Sequence, residues 1–380
     1  MKLYGDGLRD DTKKIQSMLD KGGIVKIDKN GDYLISKTLI IRSNTRFVLA
    51  PGARLILKDN ARCALIENEH FIGGGKDYNI EVIGGIFDGN SDNQGFDCYD
   101  LIEHRNDFKY DPDRYSGKLI RFCHVDRILL QKLTVRNPNG YGIQIGDTIG
   151  FIIKDIFFDY NWHYGCTDGA HINGPARDGV IENLFGTTND DMVSLTPVDE
   201  QHAECSEGEI RNVDIRNITA INGYSGVRLL SCGNYPLKHI KVSGVYGEYR
   251  HNAVLLGHHY ARPEDTRNWF DDIVIEDVHA NKSSTPLDSS CFTLWEENAI
   301  EELPVIWLFN DINIGSITFK NIYRDEEVKT NTSLLKIEKE VNINRLLLDN
   351  VGQTLKDGSN GKLLELNGTI KNLIKVNVDE

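Results

Sequence analysis

The chain has 380 residues, of which 40% are hydrophobic and 26% charged. That is too long for a peptide or a disulfide-stapled miniprotein and too apolar for wholesale disorder. A net charge of −14 without any extended basic cluster speaks against nucleic acid as a partner, and no apolar run approaches the roughly 18 residues of a membrane span.

The N-terminal MKLYGDGLRDDTKK lacks an apolar leader core, so the expected location is cytoplasmic, or secreted or periplasmic for a chain whose leader has been removed. Seven cysteines, spread singly, do not form a disulfide framework and read as mostly buried thiols. Thirty-five glycines beside nine prolines point to many short strands and tight turns. Residues 10–23 place Ile15, Met18 and Leu19 on one face behind leading aspartates, with glycines at the end. This predicts a helix that caps an open apolar end. Residues 23–57 read as consecutive short strands, and 88–117 as an irregular insertion folded over one face.

From residue 127 onward one string recurs: a short apolar strand, a turn, a second strand, then Asn or Asp. It appears as RILLQKLTVRN (127–137), FIIKDIFFD (151–159), GVIENLFG (179–186), VDIRNITAIN (213–222) and five further copies to residue 378. The interval of about 22 to 34 residues belongs to solenoids, and the alternation within each copy has the strand period. A second strand type lies between the copies: LIRFC (119–123), GIQIG (142–146), AHING (170–174), MVSLT (192–196), GVRLLS (226–231), AVLLG (253–257) and LLELN (363–367). The expected fold is all-β, a right-handed single-stranded parallel β-helix of about ten coils with an N-terminal capping α-helix. Residues 1–380 are read as one domain with loop insertions at 88–117, 197–208 and 258–272. Asparagines at the corners are expected to tolerate left-handed turns and to stack in ladders.

The chemistry concentrates in 166–195, CTDGAHINGPARDGVIENLFGTTNDDMVSL. Asp168 and the pair Asp190–Asp191 are 22 or 23 residues apart, one coil, so stacking brings three carboxylates within one or two strand spacings. Like charges that close raise at least one pKa, and a protonated acid beside ionised carboxylates is what glycoside hydrolysis needs. An isolated Asp-Gly or Asn-Asp is an ordinary turn; the one-coil phase is what lifts these above it.

These residues carry a resemblance. YGDGLRDDTKKIQ resembles the N-terminal signature of the pectin-lyase-like superfamily of right-handed β-helices, over nearly the whole chain. CTDG (166–169) and NDD (189–191) resemble the Asn-Thr-Asp-Gly and Gly-Asp-Asp motifs of family 28 glycoside hydrolases, the polygalacturonases, across 161–196. The resemblance implies that Asp190 is the general acid and that Asp168 and Asp191 position and deprotonate water, with inversion. One strand spacing is nearer the roughly 5–5.5 Å of retaining enzymes than the roughly 6.5–9.5 Å of inverting ones, so spacing and resemblance point in opposite directions. The sequence also departs from the family. Tyr224 and Ser225 stand where Gly-His-Gly is expected, and Leu255 and Gly257 replace the charged positions of the Arg-Ile-Lys uronate-binding motif. Cys166 and Asn189 also replace family residues.

Trp162 and His163 precede the CTDG strand and offer a stacking ring and a hydrogen-bonding imidazole. His171 follows Asp168 by three residues and reaches the site only if a turn intervenes, since strand alternation puts it on the opposite face. Arg228, His258 and His259 are the candidates to replace the missing clamp. The histidines and cysteines lack structural-zinc spacing and no calcium loop is present, so no metal and no cofactor are expected. The expected function is a glycoside hydrolase acting on a poly- or oligosaccharide. The rivals are a lyase or epimerase using Arg177, Arg228 or Arg250, and a non-catalytic carbohydrate-binding β-helix such as a tailspike component.

Overall fold

The computed structural model describes residues 2–96, 115–199, 205–231, 233–258, 269–284 and 303–379. Parallel strands stack into two sheets, one of 17 strands and one of 11, and the chain winds between them as a right-handed parallel β-helix. The eleven rungs of the short-strand sheet agree with the coil count read from the repeat. Strands of the long-strand sheet run 12 to 14 residues in the middle coils, for example Thr148–Asp159, Ala176–Thr187 and Ile210–Gly223. The alternating apolar residues point inward. Ile153, Ile181, Ile215, Val242 and Ile275 occupy one register row and all are fully buried. Burying each such side chain contributes about 1.5–3 kcal/mol relative to exposure, and because every coil repeats the row, one apolar cluster runs from Ile15 to Val351.

The long strands share a corner at a left-handed Asn or Asp. Asp155, Asn183, Asn217, Asp277, Asn321 and Asn350 all have φ between 55° and 60°, a region that Asn and Asp enter more easily than other side chains. Asn183 donates to Asp155 at 2.9 Å, Asn217 to Asn183 at 3.1 Å, and Asn350 to Asn321 at 2.9 Å. The asparagines thus turn the corner and satisfy one another from coil to coil, as the sequence led us to expect. Near the same corner Gly186 has φ 126°, and a β-carbon there would lie 2.0 Å from the Phe158 carbonyl oxygen.

The N-terminal helix is shorter than expected, Thr12–Leu19, with Ile15 and Leu19 fully buried. Asp11 precedes it, and its carboxylate accepts from the backbone N–H groups of Tyr4 and Gly5 at 2.8 and 2.9 Å. Gln16 faces the edge of the first short strand, Leu39–Ile41. Its amide donates to the Ile40 carbonyl and accepts from the Ile40 N–H, which satisfies a sheet edge that would otherwise present unpaired backbone groups. The insertion expected at 258–272 ends earlier: the strand Trp269–Lys282 is already paired at Phe270, because Phe270 supplies the inward position of its row. Among the described residues, no helix is long and apolar enough to cross a membrane.

Replacing Gly186 with Ala is expected to lower stability by at least about 2 kcal/mol, since both the clash and the left-handed backbone oppose it. Urea unfolding of the variant against the native chain measures the loss.

Candidate active site

The site sits where the short-strand sheet is entered. Asp168 lies in the turn before the strand Ala170–Asn173, and Asp191 opens the strand Asp191–Thr196 one coil later. The register pairs Ala170 with Val193, and the Gly169 N–H donates to the Asp191 carbonyl at 2.8 Å, so Asp168 stacks beside Asp191. One carboxylate oxygen each from Asp168, Asp190 and Asp191 lie within 4.8 Å of one another. Their exposures are 3%, 9% and 1%, so water does little to screen their repulsion.

Two of these acids are raised, each by its own neighbours. Burial, with the charges of Asp191 and Asp168, pushes Asp190 well above the ordinary carboxylate range. Burial also raises Asp191, to about 6, against the opposing pull of Arg228. Arg228 Nη1 donates to Asp191 Oδ2 at 3.1 Å. Burial works against its charge, but Asp191 and Asp190 outweigh that and raise its pKa. Asp191 Oδ1 and Arg228 Nε and Nη2 are buried with no hydrogen-bond partner among the described residues. The three carboxylates are also a donor set that suits a divalent cation, but Arg228 already supplies positive charge there.

His171 joins the cluster because Asp168 precedes the strand rather than alternating within it. His171 Nδ1 lies 2.6 Å from Asp168 Oδ2. Its Nε2 lies 3.2 Å from Asp199 Oδ2 and 2.8 Å from Thr196 Oγ1. Tyr141 stacks on the ring, centroids 4.0 Å apart and planes 6° apart, and Lys118 Nζ stands 4.8 Å from the Tyr141 ring centre. Burial opposes the charged imidazole, yet the hydrogen bonds to Asp168 and Asp199 raise its pKa to about 9.

A second group stands beside the acids. Arg250 donates to Asn189 Oδ1 at 2.7 Å, and its guanidinium carbon lies 3.9 Å over the Trp162 ring and 5.7 Å from the Tyr224 ring centre. Tyr224, standing where a histidine was expected, stacks on His251 with centroids 4.7 Å apart. Burial, Lys282 and Arg228 hold His251 well below its ordinary range and so keep it neutral. Lys282 Nζ donates to the carbonyls of Arg250 and His251 at 2.9 and 2.6 Å, which fixes the turn carrying both.

Other sequence candidates fall elsewhere. His163 bonds Asp92 at 2.8 Å and ties its turn to the 3-10 turn Ser91–Asn93. His258 follows the strand Val254–Gly257, at the end away from the acids and about 20 Å along the strand direction from the Asp191 column; it does not join the carboxylates, because strand length separates the two ends of the face. His259 lies outside the described residues. Leu255 pairs in register with Arg228, and a β-carbon at Gly257 would meet the Phe309 ring, so both expected clamp positions are apolar or filled. Sequence reasoning missed Asp199, Thr196, Tyr141 and His251. Asp199 lies in an irregular insertion and Tyr141 and His251 in turns outside the strands, where the repeat spacing marks no contact; only Thr196 ends a strand beside that of His171.

Because His171 is raised in the folded chain from its ordinary 6.5 to about 9, its ion pairs stabilise fully below pH 6.5 and fade as pH climbs through about 9. The stability gap between the native chain and Asp199→Asn is therefore expected to be largest below pH 6.5, on the order of 1–3 kcal/mol, and to shrink toward pH 9. Urea unfolding at fixed pH steps measures it.

No protein-family model matches the chain, and no curated protein matches it in sequence. Solved structures do. An exopolygalacturonase from Thermotoga maritima superposes with a TM-score of 0.60 at 14% identity, covering 90% of this chain and 89% of that one. PfbA, a surface adhesin of Streptococcus pneumoniae, gives 0.58 at 14% identity, covering 97% and 91%. The A-module of a mannuronan C-5 epimerase, AlgE6 of Azotobacter vinelandii, gives 0.56 at 14% identity, covering 98% and 97%. Likeness at that identity shows a shared fold: the chain is a right-handed parallel β-helix of the kind seen in polygalacturonases and other pectin-lyase-like proteins.

Proposed function

We propose that the chain is a glycoside hydrolase that cleaves a poly- or oligosaccharide by aspartate acid–base catalysis. The observation that supports this reading is the cluster of three buried carboxylates, in which burial and neighbouring charge raise Asp190 and Asp191. Burying three like charges together is unfavourable, and a surface that only binds sugar gains nothing from it. A hydrolase gains an acid and a base in one place.

Asp190 holds the proton and donates it to the glycosidic oxygen as the bond from that oxygen to the anomeric carbon breaks. A water adds to the anomeric carbon and gives its proton to Asp191 Oδ1, the buried oxygen with no hydrogen-bond partner among the described residues. Asp168 holds that water. Trp162 with Arg250, and Arg228, border the space for the sugar. The polygalacturonase neighbour and the motif resemblance support inversion. The epimerase neighbour makes a proton-abstracting arginine worth weighing, but Arg228 is bound to Asp191 with its pKa raised, which leaves it a cation rather than a base.

Two outcomes are expected. On a panel of neutral and uronate polysaccharides, the native chain releases reducing ends and Asp190→Asn loses about 10²–10⁴-fold in kcat with its fold retained. Unsaturated, ultraviolet-absorbing products, or equal turnover by Asp190→Asn, would reject the assignment. The pH profile is bell-shaped: activity rises as Asp191 ionises near pH 6 and falls at high pH as Asp190 loses its proton. The anomer formed first, followed by proton NMR, reads inversion directly.

A further inference from the structure

Beside the three acids stands a buried group that the reaction above does not use. His171 was a candidate for touching substrate. Its geometry gives it another task. The ring is 2% exposed, and every polar direction from it is taken by the protein: Nδ1 by Asp168 at 2.6 Å, Nε2 by Asp199 at 3.2 Å and Thr196 Oγ1 at 2.8 Å. One ring face is covered by Tyr141. No edge is left to bind a sugar. A ring with a carboxylate on each nitrogen is suited to carry two protons, because each N–H then meets an acceptor.

We propose that His171 is a positioning residue: an imidazolium fixed between Asp168 and Asp199, which holds the Asp168 carboxylate in place for the attacking water. Asp199 comes from the segment after the strand Asp191–Thr196, so an insertion that breaks the repeat secures a carboxylate set by the repeat. The proposal rests on the hydrolase reading for its role in turnover, and on geometry alone for the clamp.

The charged and titratable groups around the ring agree with this. Asp168 and Asp199 face its nitrogens, and Asp191 lies one rung away. Tyr141 separates it from Lys118, which burial, aided by Arg121, lowers to about 8. Lys118 thus gives up its proton before His171, whose own value is about 9; Arg228 stands two rungs along in the register row of His171, and the three carboxylates outweigh both.

Two measurements test the proposal. The first needs no substrate. In the ¹⁵N-histidine-labelled chain, with the His171 signals assigned by their loss in His171→Asn, both ring nitrogens are expected to remain protonated at pH 7.5. In Asp199→Asn the ring is expected to lose a proton about one pH unit or more earlier. A neutral His171 at pH 7.5 in the native chain, or an unchanged titration in Asp199→Asn, overturns the clamp. The second reads kinetics on whichever panel sugar the native chain cleaves. His171→Asn keeps an amide toward Asp168 but no charge. It is expected to lower kcat at least about tenfold with KM within about threefold, the pattern of an interaction that acts in the transition state. In Asp199→Asn the alkaline limb, the fall of kcat at high pH, begins at lower pH than in the native chain, because His171 then gives up its charge before Asp190 loses its proton, a shift that general loosening of the fold would not produce. A drop confined to KM, or an unmoved limb, overturns the positioning role. If the native chain cleaves no sugar, the hydrolase reading fails and the role in turnover with it, while the nitrogen signals still decide the clamp. Circular dichroism and urea midpoints identify a variant that fails to fold, and the second variant then carries the test.

Discussion

Parallel in-register stacking of the short strands governs this molecule. Because Ala170 pairs with Val193 and Ser194 with Arg228, a residue on one coil is held about 4.8 Å from its counterpart on the next. Apolar positions use that distance to fill the interior. Polar positions on the outer face of the same strands use it to build rows that no single coil could hold. His171, Asp191 and Arg228 stand on those strands, and Asp168 and Asp190 stand in the turns that lead into them. The same constraint that satisfies the backbone therefore forces like charges together.

That forced proximity is what gives the cluster its chemistry. An exposed set of aspartates at this spacing would be screened and would ionise together. Here exposure is below one tenth, and each acid answers to different neighbours: Asp168 to His171, Asp191 to Arg228, Asp190 to the other two acids. The outcome is one acid hydrogen-bonded to an imidazole, one paired with a guanidinium, and one that burial and its neighbours push toward its protonated form. Around them Arg250 covers a face of Trp162, and Lys282 fixes the turn that carries Arg250 and His251. The clamp positions expected at Leu255 and Gly257 hold no charge, and the cations instead come from the column of Arg228 and from the turn at Arg250. The charged groups beside the acids thus come from several coils rather than from one motif.

Much of this was legible beforehand, for one reason: a solenoid converts sequence spacing into spatial neighbourhood. The apolar alternation fixed the strand period. Asparagine and aspartate at each corner could be read as left-handed turns, and the 22- or 23-residue interval from Asp168 to Asp190 and Asp191 could be read as contact. The capping helix was legible too, although its edge-pairing residue, Gln16, was not, since nothing in an amphipathic pattern marks which polar side chain meets a strand edge. Where the chain leaves the repeat, spacing stops predicting contact. His163, adjacent in sequence to the candidate strand, pairs with Asp92, and His258 stands at the opposite end of its strand.

The sequence by itself determined the coil, its corners and the phase of its acids, because those depend on a period that recurs along the chain. The tertiary structure alone decided that His171 turns toward Asp168, that Asp199 meets its other nitrogen, and that Arg250 lies over Trp162. Each of these joins a repeat to a turn or an insertion, or joins two coils through side chains long enough to cross several rungs. No period encodes such contacts; they follow from packing against neighbours that only the folded chain brings together.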